Sequence, residues 1–214
     1  MNWLARKTAR ILVQNSNRYF QEDHLRFGVE LVVGAILQFF LILFIAALLG
    51  VGLETTVVLL AAALFRRHSG GAHCSAYYRC TLTSITVFPI LGFSIRYFPA
   101  PYLPYYLIAL VIISSALIYT RVPVDNPTRP ITDQNLISLM KSYSAVMLVF
   151  LIIAALLGAY VFKQPQIAIS IIVGVLWQNF MLTDWGHGLI HHIDRCLKNV
   201  EQKFIKRKEG FYAD

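Results

Sequence analysis

One short stretch, "RRHSGGAHCSAYYRC" at residues 66–80, gathers a thiol at Cys80, an imidazole at His73 and guanidinium groups at Arg66, Arg67 and Arg79. A thiol becomes a nucleophile when a nearby base takes its proton and positive charge favours the anion. His73 is the candidate base, and the arginines supply the charge. On one continuous helix, positions seven apart share a face but stand about 10.5 Å apart along the axis, beyond hydrogen-bond reach. His73 therefore has to sit on a non-helical segment that folds back, and Gly70 and Gly71 make that fold cheap. A cysteine at a helix end is ordinarily a small buried filler, which is the reading for Cys74 and Cys196. Cys80 stands apart through its neighbours.

Two other stretches carry groups able to do chemistry. In "TDWGHGLIHHIDRC", His187 and His191 are four apart and Asp184 is one turn earlier, so all three share a helical face and form a metal-ligand candidate. Against that reading, the glutamate of an HExxH motif is missing, Gly186 and Gly188 weaken the helix, and histidine is at home near lipid headgroups. The loop "TRVPVDNPTRPITDQN" is stiffened by prolines at 123, 127 and 130. There Asp125 and Asn126 either orient His73 or bind peptide backbone, or Asp125 simply caps a turn.

The elements that must position these groups are apolar. Of 214 residues, 57% are hydrophobic and 14% charged, and the mean hydropathy is +0.59. A soluble domain carries about 25% charged residues, so the composition is that of a membrane protein. A net charge of +8 does not mark a nucleic-acid binder here. The basic residues flank apolar runs and do not interleave with aromatics on a soluble face, which points to anionic lipid as the partner. The N-terminal stretch lacks the apolar region and small-residue cleavage site of a signal peptide.

A bilayer core of about 30 Å needs roughly 20 helical residues. Runs of that kind lie near 28–50, 81–98, 101–120 and 143–162, with a slightly shorter one at 166–183. The remaining run, residues 52–65, is either a short crossing helix or an interfacial one. The positive-inside rule favours crossing. With six spans and both termini inside, every one of the 19 lysines and arginines except Arg96 and Lys163 falls on the cytoplasmic side. An interfacial 52–65 helix would destroy that asymmetry. The expected architecture is a single all-α polytopic membrane domain over 1–214, with about six transmembrane helices. Residues 1–27 form an amphipathic interfacial flank and 184–214 a basic cytoplasmic tail. All three cysteines then face a reducing compartment and are free thiols. A small transporter would place ionisable residues inside its spans, and these spans hold almost none beyond Glu30, Glu54 and Arg96 near their ends.

The pattern R-x-x-G-G-A-H-x(6)-C between two membrane spans, followed two spans later by "PVDNPTRPI", resembles the accessory gene regulator protein B family of Gram-positive and related bacteria. The likeness covers most of the chain, including length, basic flanks and hydropathy profile. It implies an integral membrane cysteine endopeptidase that processes a short quorum-sensing propeptide, with Cys80 and His73 as the catalytic pair. Gly70, Gly71, Arg66, Arg67 and Asp125 are the supporting candidates. Homodimerisation is implied by the resemblance as well, and the chemistry needs neither metal nor cofactor. Cys74, directly after the histidine, is not part of the family pattern.

Overall fold

The computed structural model describes residues 22–124 and 132–211. Residues 1–21 of the N-terminal flank and the Asp125–Asn126 pair lie outside the described residues. The chain is an all-α membrane protein built from α1 (Glu22–Leu48), α2 (Gly52–Ser69), α3 (Tyr77–Ser94), α4 (Leu103–Thr120), α5 (Gln134–Leu156), α6 (Pro165–Met181) and α7 (Asp184–Phe211). Among the described residues the one strand-like contact is an isolated parallel bridge between Gly70 and Val124.

Helices α1 to α6 alternate in direction. At one end, Gly50 closes the turn between α1 and α2 with a positive φ of 66°, and Arg96 reaches across to donate to its carbonyl at 2.8 Å. At the other end, Lys141, two turns into α5, donates to Tyr119 O at the end of α4 at 2.8 Å. The His68 ring of α2 lies 5.4 Å from the Tyr143 ring of α5. Asn179 near the end of α6 donates to Ser114 of α4 at 2.7 Å. This alternation collects Arg66, Arg67, Arg79, Arg121 and Lys141 at one end of the bundle and leaves Arg96 and Lys163 at the other. The sorting is the one the charge pattern calls for.

Helix α6 is apolar all round, and Ala168 through Val175 are buried without interruption, so it forms the centre of the bundle. It runs against α2, where Gly174 lets the backbones meet: a Cβ there would strike Val58 O and approach Ala61 Cβ at 3.0 Å. Small residues at such crossings are how helices pack when lipid removes the hydrophobic drive for association. The outer helices turn large apolar side chains outward, among them Phe40, Phe44, Ile112 and Val146. Lipid is the solvent that suits such a surface.

Four helical stretches are long and apolar enough to cross a membrane: Gly28–Leu48, Tyr77–Tyr97, Ala100–Thr120 and Gln134–Val161. A fifth counts if Pro165–Met181 and Asp184–Lys203, which meet at a bend of 82°, are taken together. Helix α2 is 18 residues long and α6 is 17, about 27 and 25 Å at 1.5 Å per residue. Two boundaries differ from the sequence expectation. Arg66, Arg67 and His68 are the last turn of α2 rather than the start of a loop, and α5 begins at Gln134, well before residue 143. Asp133 starts α5 by accepting the Asn135 N–H at 2.9 Å, a side-chain cap that extends the helix beyond its apolar run.

Candidate active site

The chain between α2 and α3 is only Gly70 to Ala76, and almost every backbone group in its first half is held. Helix α2 stops where Gly70 adopts φ 75° and Gly71 φ 138°, conformations that side chains rarely tolerate. A Cβ on Gly70 would also overlap the Val124 carbonyl. The segment following α4 runs alongside: Val124 N–H donates to Ser69 O at 2.9 Å and Gly71 N–H to Val124 O at 3.3 Å, while Ala72 N–H donates to Met181 O at 3.3 Å. Gln178, buried in α6, donates through Nε2 to Gly70 O at 2.6 Å and to Ser69 Oγ at 3.3 Å. The segment after α4 and helix α6 thus pin a loop that carries no helix of its own.

His73 and Cys80 line one cavity of about 220 Å³. Arg66, Gln178 and the two candidate catalytic groups line it together with apolar side chains, among them Leu59, Ala62, Val87, Phe88 and Trp177. Cys80 is half-buried in the first turn of α3, the helix end where negative charge is stabilised. Arg66 binds the loop from beneath. It donates to Gln178 Oε1 at 3.3 Å, to Gly71 O at 3.3 Å and to Ala72 O, and its Nη2 lies 3.1 Å from His73 Nε2. A guanidinium only donates, so Nε2 is the acceptor and the ring is neutral with its proton on Nδ1. The His73 side chain is exposed at the rim by surface area, yet its crowded setting works against charge. Burial first, then the Arg66 and His187 charges, hold its pKa below the usual imidazole value. Burial, then proximity to Cys80, pushes the Cys74 thiol up to about 11.

The other sequence candidates fall elsewhere. Arg67 is exposed on the last turn of α2 and does not line the cavity. Asp125 lies outside the described residues. The alternative metal set is not assembled. Asp184 is paired with both terminal nitrogens of Arg121 at 2.8 and 2.7 Å, the His187 ring lies 2.9 Å from Thr183 O, and His191 Nε2 is 3.0 Å from Arg195. Among the described residues no group of three or more metal-ligating side chains is placed to hold an ion. Gln178 escaped the sequence reading, although an amide inside the apolar run "IAISIIVGVLWQNF" was a usable signal, because polar groups at membrane depth are expensive and need partners.

These features define a class: an all-helical integral membrane protein with a thiol and an imidazole gathered in one recess at the polar end of its bundle. The sequence model of the family described as Accessory gene regulator B matches residues 5–182, and the chain belongs to that family, whose function lies in quorum sensing. A putative AgrB-like protein of Clostridium perfringens (strain SM101 / Type A) is 23% identical over 185 residues, covering 81% of this chain and 86% of that relative. Protein FsrB of Enterococcus faecalis is 24% identical over 189 residues, covering 85% and 75%. A putative AgrB-like protein of Listeria innocua is 27% identical over 100 residues, covering 45% and 49%. No solved structure matches.

Proposed function

We propose that this protein is an integral membrane cysteine endopeptidase that cleaves a quorum-sensing propeptide near its C-terminus and prepares the remaining part for cyclisation. The observation that carries the reading is the shared cavity of Cys80 and His73, with Arg66 in its lining and against the imidazole. In the resting arrangement Arg66 occupies His73 Nε2. When the peptide carbonyl enters, Arg66 exchanges that contact for the carbonyl oxygen, and Nε2 is freed to take the Cys80 proton. The sulfur attacks the carbonyl carbon and the C–N bond breaks. The imidazolium returns its proton to the departing amine, and an acyl-thioester stays on Cys80. A cysteine thiol or serine hydroxyl within the same peptide then attacks the thioester and closes a thiolactone or lactone ring, and Cys80 recovers its proton. Exchange between two thioesters costs little free energy, which suits a thiol enzyme to this cyclisation.

In this reading α1 to α6 all cross the cell membrane, α2 and α6 as short spans sheltered by the others. The basic end, both termini and the cavity face the cytoplasm, and anionic lipid and a second copy of the chain are the surrounding partners. The test is direct. Purified Cys80→Ala and His73→Ala proteins should insert normally and cleave no propeptide, whereas Cys74→Ala and Cys196→Ala should retain cleavage. Substantial cleavage by Cys80→Ala removes the nucleophile assignment. A metal chelator should leave cleavage unchanged and a thiol alkylator should stop it.

A further inference from the structure

Helix α7 reaches the candidate site through two carboxylates, Asp194 and Glu201, and of these Asp194 also holds the loop. Asp194 and Arg79 are each only 8% exposed although they sit at the polar end of the bundle. Asp194 Oδ1 accepts the Ser75 N–H at 3.2 Å and Arg79 Nη1 at 3.1 Å, and Oδ2 accepts the Ser75 hydroxyl at 2.8 Å. Arg79 Nη1 closes the triangle by donating to Ser75 Oγ at 2.9 Å. Its Nε donates to Tyr78 OH at 2.9 Å and its Nη2 to Glu201 of α7 at 3.2 Å.

The places that the Asp194 carboxylate holds are telling. Ser75 lies two positions after His73, and Arg79 lies one before Cys80. The second half of the loop and the first turn of α3 are thereby tied to one point on another helix. Ala76, the residue that caps α3, has no side-chain cap of its own, and Asp194, which accepts the Ser75 N–H just before the helix begins, places a carboxylate near the helix end that favours negative charge. A buried ion pair often contributes little net stability against an apolar replacement, and fixing one arrangement is the better-attested reason to keep one. The family match ends at residue 182, so α7 and its carboxylates lie outside the matched region.

We propose that Asp194 is a positioning residue that sets the His73–Cys80 geometry by clamping Ser75 and Arg79, and that α7 is therefore part of the working site. The proposal rests on the reading of Cys80 as nucleophile, but its test has a readout independent of cleavage. In full-length protein carrying Cys74→Ala and Cys196→Ala, Cys80 is the sole thiol. Its iodoacetamide alkylation rate is followed against pH beside propeptide kcat and KM. Asp194→Ala should lower kcat about tenfold to a hundredfold, the scale set by small misplacements of reacting groups, with KM held within about twofold. The same variant should alter the alkylation profile. Asp194→Glu should recover most of both, and Asp194→Asn should fall between. If Asp194→Ala does not yield monodisperse protein, Ser75→Ala, which deletes one hydroxyl, should shift the alkylation profile in the same direction by a smaller amount. An unchanged alkylation profile in these variants overturns the proposal, whether or not kcat falls. A parent protein that is alkylated at Cys80 but cleaves nothing overturns the nucleophile reading alone, and the alkylation comparison still decides the clamp.

Discussion

Under the proposed mechanism, burial and then the neighbouring Arg66 cation set the pH at which His73 would serve as a base. Protonating the ring adds a positive charge to a partly desolvated site beside Arg66, so its pKa is held below the ordinary value of 6.5. The neutral, proton-accepting form therefore persists to lower pH than for a free imidazole. The acid limb of kcat/KM for cleavage should lie below that value. Arg66→Gln removes the charge, so His73 should become easier to protonate and the acid limb should move upward, even as the loss of donors to Gly71 O and Ala72 O lowers the maximal rate. A limb that stays in place in Arg66→Gln would mean that His73 is not the titrating base. Cys74 behaves in the opposite sense. With its pKa pushed up to about 11 by burial and by Cys80, it remains a neutral thiol at neutral pH and is no rival nucleophile, which is why Cys74→Ala should be mild.

At the scale of elements, Gly174 is one of the points where the bundle is sensitive to size. Backbone of α2 and α6 meet there, with Ala61 Cβ 3.0 Å from where a Cβ would stand. Gly174→Val should overpack the crossing and cost about 1–3 kcal/mol, seen as a lowered thermal midpoint in detergent. Gly28→Ala, where a Cβ meets open space, should leave the midpoint within experimental spread; equal effects of the two would contradict the central crossing. Four of the spans were legible, because a bilayer demands long apolar runs and little else in the sequence can imitate them. Their ends were less so. Arg66 and Arg67 read as loop because charge inside a span is costly, yet Arg66 is helical and finds Gln178 and two loop carbonyls as partners. Those partners lie on segments that periodicity cannot bring together. The glycine–histidine–cysteine stretch was legible because its unusual residues are adjacent in sequence. The Asp194 contact was not, since 115 positions separate it from Arg79 and "HHIDRC" carries no local sign of a buried acid.

The whole molecule is polarised. Arg66, Arg79, Arg121 and Lys141 stand at the end that holds the cavity, while Arg96 and Lys163 stand at the other. Under the proposed topology the basic end faces the cytoplasm, where short loops rich in lysine and arginine stay, and that is the side from which a ribosomally made propeptide would reach Cys80. Ser69 is fully buried and is no place for a label, but Arg67, two residues earlier, is exposed, as is Lys163 at the far end. In a background with Cys74, Cys80 and Cys196 replaced by alanine, a membrane-impermeant maleimide applied to intact cells should label Arg67→Cys only after the membrane is permeabilised and Lys163→Cys without permeabilisation. Labelling of position 67 from outside, or protection of position 163, would break the six-span arrangement, because Gly52–Ser69 would then not cross. Surface charge at the same end carries a kinetic consequence. Attraction between an acidic peptide segment and exposed basic residues is screened over about 10 Å at 0.1 M salt, whereas a step inside the recess is screened far less. Raising salt should therefore increase KM for propeptide while leaving single-turnover cleavage of bound peptide nearly constant. A fall in the single-turnover rate with an unchanged KM would instead place the salt-sensitive charges at the reacting groups, with Arg66 the first to replace.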